Sequence, residues 1–146
     1  MKESRAKNLL ICTRLALGAV FIAASILKIA HPAEFAKILY NYQVIPNNLI
    51  NMTAIVLPWL EAIMGMMLLA GIWLPGAAVL ANLLLLAFFS ALLFNVARGL
   101  NIHCGCFSIN VAGEPQTAWY MVRDSLFLAL GFALLFQVFR KRPTAR

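Results

Sequence analysis

Charge is scarce in this chain. Asp, Glu, Lys and Arg make up 12% of its 146 residues, where a soluble domain carries roughly 25%. Acidic residues number five, cysteines three and histidines two. So little charge excludes an ordinary water-soluble domain. With 63% hydrophobic residues and a mean hydropathy of +0.86, the excess apolar surface needs lipid to cover it. The sequence has no internal repeat and no low-complexity segment. A spanning helix takes about 20 residues, so four spans and their connections use nearly the whole length and leave no room for a soluble domain beside them. Four short spans also leave little room for an enclosed pore in one chain.

What charge there is leans basic, to a net +7. This is not the footprint of nucleic-acid binding. The basic residues gather at the two ends, as Lys2, Arg5 and Lys7 and as Arg140, Lys141, Arg142 and Arg146. Basic clusters that flank hydrophobic runs report orientation and contact with anionic lipid. The basic start resembles a signal peptide, but Arg14 interrupts what would be the short apolar core, and the segment runs on to Ile29. An uncleaved helix is the expectation.

The fold expected is an all-α integral membrane protein. Four transmembrane helices run over about 9–29, 50–73, 77–96 and 117–139. A short amphipathic helix lies between the first two. Arg14 and Lys28 lie near the two ends of span one and are expected to snorkel to the headgroups. Pro32 opens the short helix well. Phe35, Ile38, Leu39 and Tyr42 recur at helical spacing opposite Glu34, Lys37 and Asn41, which predicts a helix on the membrane surface with Tyr40 and Tyr42 at headgroup level. Leu74-Pro75-Gly76 reads as a tight turn that makes spans two and three antiparallel neighbours. Pro58 is expected to kink span two.

Loop charges predict the orientation. The outward side carries Lys28, Lys37, Arg98 and Arg123, interleaved with Glu34, Glu114 and Asp124, against the wholly basic ends. The positive-inside rule places both termini in the cytoplasm. The two longer loops then face outward, which in a bacterium is the periplasm.

Within the second of those loops stands Cys104-Gly105-Cys106. Two cysteines around a glycine in a polar loop have no packing role to play. Bridged α-carbons lie about 4.4–6.8 Å apart, which residues two apart reach only in a bent backbone. Gly105 permits the bend. A ring so small is strained, and strain makes a disulfide a better oxidant. A redox role is therefore the leading reading, beside metal binding and a purely structural role. Cys12 lies a bilayer thickness away and reads as a packing residue. His103 either joins the cysteines and His31 as a copper or zinc ligand, or lowers the pKa of Cys104 when protonated. His31 otherwise reads as a helix-end residue.

The second feature is charge inside the outward half of the bundle. Glu61 lies about 15 Å into span two at 1.5 Å per residue. A charge there costs about 2.5–3.5 kcal/mol, so Glu61 must find a partner, Lys28 or Arg123 by expectation, or take up a proton. Lys28 reaches down from span one, and Arg123 and Asp124 enter from span four. All four are expected to meet in one outward pocket. That pocket is either a salt-bridge network fixing helix order, or a site for a quinone headgroup or a proton relay. Asn82 and Gln137 read as interhelical hydrogen-bond donors and acceptors. Gly18, Ala19, Ala23 and Gly65 read as positions of close helix approach.

Arg14-Leu15-Ala16-Leu17-Gly18, Lys28, Pro32 with Phe35, Tyr42 and Pro46 resemble the opening of the DoxX-like membrane proteins. Pro58-Trp59-Leu60-Glu61 with Gly65 and Gly71 resembles their second span. The Cys-Gly-Cys-Phe run at 104–107 narrows the resemblance to the MauE, methylamine-utilisation, branch. Ser108 stands where many relatives have glycine. The resemblance implies a four-helix inner-membrane protein that serves redox maturation of exported proteins beside a thioredoxin-like periplasmic partner. Thus Cys104 and Cys106 are expected to carry thiol–disulfide exchange. Lys28, Glu61, Arg123 and Asp124 are expected to line a quinone or proton site. The contrasting readings are a membrane metal-binding protein and a small carrier or structural subunit.

Overall fold

The computed structural model describes residues 2–103 and 116–140. Cys104, Gly105 and Cys106 lie outside the described residues. So does Glu114.

The described residues form five helices: α1 (Lys2–Ala30), α2 (Pro32–Tyr42), α3 (Asn47–Ala70), α4 (Leu74–Ala97) and α5 (Thr117–Arg140). No strand occurs among them. Four of the helices are long and apolar enough to cross a bilayer. A single-layer bundle follows, because only helices satisfy every backbone group within one segment in lipid. The chain is a multi-pass membrane protein.

The long helices form a closed ring, α1 against α3, α3 against α4, α4 against α5 and α5 against α1. The pairs α1–α3 and α4–α5 are the most extensive, and glycine sets both. A β-carbon at Gly18 would stand 3.1 Å from the Gly65 carbonyl oxygen, and one at Gly65 would stand 3.1 Å from the Gly18 oxygen. A β-carbon at Gly131 of α5 would stand 2.8 Å from Asn82 Oδ1 of α4. Ala19 and Ala23, expected beside Gly18, point away from the bundle. They fall on the lipid side of the helical period.

The α3–α4 connection differs from expectation. Gly71 ends α3 in the left-handed region at φ +76°. The turn is made by residues 71–73, and Pro75 and Gly76 lie in the first turn of α4. A C-terminal glycine followed by an early helical proline is the favoured order for stopping and restarting a helix. Pro58 sits inside α3 without ending it.

The short helix does not lay its apolar face in lipid. Phe35, Ile38, Leu39 and Tyr42 are all buried. Phe35 and Leu39 pack on Ile50 and Ala54 in the first half of α3. Ile38 and Tyr42 pack on Leu92 of α4 and on Ile102. The helix α1 stops at Ala30, and α2 takes over the packing of α3 from there. Protein side chains meet that face more closely than fluid lipid would. Tyr40 is exposed, and Glu34 and Lys37 pair on the outer face at 2.9 Å.

Candidate functional site

The two ends of the ring have unlike interiors. Near the termini, Leu17, Phe21, Met64, Leu68, Ala78, Leu134 and Val138 make one continuous apolar core. Arg14 borders it. Its guanidinium donates to the Leu69 carbonyl at 3.4 Å, at the end of α3. That carbonyl is one of the groups a helix end leaves without a partner.

At the opposite end the interior is charged. Lys28 is 1% exposed, as is Glu61. Lys28 Nζ donates to Glu61 Oε1 at 2.8 Å and to Oε2 at 2.9 Å. Lys28 therefore does not snorkel, because its ammonium finds both carboxylate oxygens inside the bundle. The Phe35 and Phe88 rings flank it, each with its centroid 4.9 Å from Nζ. Two aromatic faces supply the negative potential that water would otherwise provide. Breaking such a pair from one side costs about 3–5 kcal/mol, since the remaining charge is buried alone.

The second pair lies on α5. Asp124 Oδ1 accepts from Arg123 Nε at 3.1 Å and from Nη2 at 2.9 Å. The guanidinium also lies 5.3 Å from the centroid of Tyr120 and 6.0 Å from that of Phe127. Lys28, Glu61 and Asp124 line one cavity of about 40 Å³, with Phe88 and Phe127 in its walls. Three of the four expected residues thus share a chamber, and Arg123 is held against the third. The chamber has room for water, which needs about 10–15 Å³ of such space, but not for a ring-sized ligand.

Phe88 also borders a second cavity, of about 240 Å³, between α2, α3 and α4. Its lining is apolar and includes Phe35, Ile38, Tyr42, Leu57, Leu84 and Ala91.

Polar residues elsewhere divide into expected and missed. Asn82 Nδ2 donates to Ala78 O at 2.8 Å and across to Gly131 O at 2.9 Å, joining α4 to α5. Gln137 makes no such link through its Oε1, which is buried without a partner among the described residues. Asn95, not singled out in the sequence, is wholly buried and donates to Ala91 O at 2.9 Å. Its signal is a second amide in a span that is apolar apart from Asn82 and Ser90. Phe88 gave no signal at all. Cys12 is exposed on α1 rather than packed. His31 is exposed. The Nδ1 of His103 is buried without a partner among the described residues, and no group of three metal-ligating side chains occurs among them. The segment leading to Cys104 is anchored through Ile102, buried against α2 and α4.

A ring of four spanning helices with one buried and one half-buried ion pair at one end defines a small helical membrane protein with a polar interior site. Its sequence places it further. The family model described as "Methylamine utilisation protein MauE" matches residues 6–137, and the chain belongs to that family. It is 36% identical over 122 residues to a methylamine utilization protein MauE of Paracoccus denitrificans, covering 83% of this chain and 65% of that one. It is 36% identical over 109 residues to the protein of the same name from Methylorubrum extorquens, covering 74% of this chain and 58% of the relative. The chain thus spans about three fifths of the length of these curated relatives. No solved structure matches it.

Proposed function

We propose that the protein is an inner-membrane redox accessory for exported proteins, acting by thiol–disulfide exchange between Cys104–Cys106 and a thioredoxin-like periplasmic partner. The observation that carries this reading is the Cys-Gly-Cys run in the connection between α4 and α5, two residues beyond the anchored Ile102. The basic termini support an orientation with both ends in the cytoplasm and that connection in the periplasm, a compartment in which disulfides persist. The relatives carry a name of methylamine utilisation, and maturation of a protein of that process is the role we carry over.

The chemistry is a two-electron exchange. A thiolate of the partner attacks the Cys104–Cys106 disulfide, a mixed disulfide forms, and the partner's second thiolate releases it, leaving the partner oxidised and the pair as two thiols. On the membrane side a quinone takes the two electrons and two protons of that dithiol, becomes the quinol and restores the Cys104–Cys106 disulfide. Lys28, Glu61, Arg123 and Asp124 form the charged interior through which those protons pass.

The test is alkylation of Cys104 and Cys106 with a mass-shifting reagent in intact cells, before and after mild reduction, in a Cys12→Ser background. A reversible disulfide gives a shift only after reduction. Cys104→Ser or Cys106→Ser should capture the thioredoxin-like partner covalently. Equal labelling before and after reduction, with no captured partner, would overturn the reading.

A further inference from the structure

We infer that the apolar cavity between α2, α3 and α4 is the seat of a lipid-soluble quinone ring, with Phe88 standing between that ring and the Lys28–Glu61–Asp124 chamber. The inference rests on the redox reading for its choice of a ring over an acyl chain.

Size separates the two cavities. A ring of benzene size needs roughly 150 Å³ of apolar space. The charged chamber has about 40 Å³ and cannot hold one. The apolar cavity has about 240 Å³, enough for one substituted ring and the start of its tail.

Access separates water-soluble from lipid-soluble ligands. Leu84 and Ala87 line the cavity and lie 13 and 10 residues from the Ala97 end of α4. At 1.5 Å per residue that is about 20 and 15 Å along the helix. Ala87 is exposed on the outer face of α4. The mouth therefore reaches the depth of the hydrocarbon, and what enters comes from lipid.

The neighbourhood selects a quinone. A saturated chain has no use for an adjoining proton reservoir, whereas a quinone ring does. Phe88 lines both cavities, so one side chain separates the apolar seat from Lys28, Glu61 and Asp124. Phe35, held against the same ammonium, and Tyr42 give the seat further aromatic wall. Oxidation of a dithiol to a disulfide releases two electrons and two protons, and reduction of a quinone to its quinol consumes both. No other reactant is needed.

The experiment is equilibrium binding of decylubiquinone to the purified full chain in lipid nanodiscs, with spin-labelled stearate as the competing acyl chain. Ala87→Trp fills the seat and should weaken decylubiquinone binding by about tenfold or more. Leu83→Trp, on the exposed face of the same helix, adds the same side chain outside the cavity and should leave binding unchanged. Thermal unfolding reports whether each variant is folded, and Leu57→Phe replaces Ala87→Trp if the latter is not. Equal binding by both tryptophan variants overturns the inference. So does wild-type protein that takes stearate but not decylubiquinone, which would leave the thiol chemistry standing. Binding is read without any thiol reaction. Hence a chain that binds decylubiquinone yet shows no reversible Cys104–Cys106 disulfide keeps the seat and loses the redox function.

Discussion

At the end that carries the termini, Leu17, Leu68, Ala78 and Leu134 fill the space between helices, and all four are fully buried. At the other end the same helices enclose Lys28, Glu61 and Asp124 and leave two cavities. Lipid tails are as apolar as leucine, so the first end gains little from hydrophobicity itself and holds by close packing. Gly18 against Gly65 brings the backbones together there. The second end gives up that packing for charges that are costly to bury. A bundle needing stability alone would have had less use for them, since apolar residues of similar volume often replace a buried ion pair without loss. On the proposed function, folding belongs to the first end and chemistry to the second.

The largest effect that sharpens this contrast comes from breaking the central pair on one side. Lys28→Ala or Glu61→Ala should lower stability by about 3–5 kcal/mol, read by thermal or denaturant unfolding in detergent. Glu61→Gln, which keeps hydrogen-bonding oxygen and removes the charge, should lose less than Glu61→Ala.

At the packed end the expected losses are smaller and arise from crowding. Gly65→Ala puts a β-carbon 2.8 Å from Ile22 Cγ1 and 3.1 Å from the Gly18 oxygen. The side chain can shift, but the backbone oxygen moves only with its helix. A cost of about 1–3 kcal/mol is expected in the same unfolding assay, with no change in the redox state of Cys104 and Cys106 in the protein that folds. A change in that redox state would break the division between the two ends.

The smallest effect belongs to Asn82. Asn82→Ala removes the donor to Ala78 and Gly131, and interhelical hydrogen bonds in membranes average about 0.6 kcal/mol, with a maximum near 1.7. A loss well above that range would show that α4 and α5 are held by this amide more than by packing at Gly131.

The four spans were legible because lipid imposes a long apolar run on every helix that crosses it. That Glu61 is paired was legible for the complementary reason, since a charge at such depth must find a partner. The choice between Lys28 and Arg123 was not legible, and Lys28 read both as snorkelling outward and as reaching down, because a long side chain near a helix end can reach either way. Ala19 and Ala23 misled because small residues mark close approach only on the face that meets another helix. The burial of α2 was hidden for a related reason. An amphipathic face reads the same whether protein or lipid covers it. Phe88 and the apolar cavity left no trace in the sequence, because a phenylalanine that walls a cavity looks like any other in a spanning helix.

The central claim is that the charged end serves chemistry rather than folding. The most direct test is the double variant Lys28→Met with Glu61→Met, which removes the pair together and leaves no charge alone. Its stability and the in-cell redox state of Cys104 and Cys106 are measured on the same preparation, in the Cys12→Ser background. The account predicts stability within about 1 kcal/mol of the parent, as for other buried pairs replaced by apolar residues, and a Cys104–Cys106 pair trapped in one redox state. A double variant that is as stable as the parent and still cycles its cysteines normally would contradict the claim and make the ion pair structural.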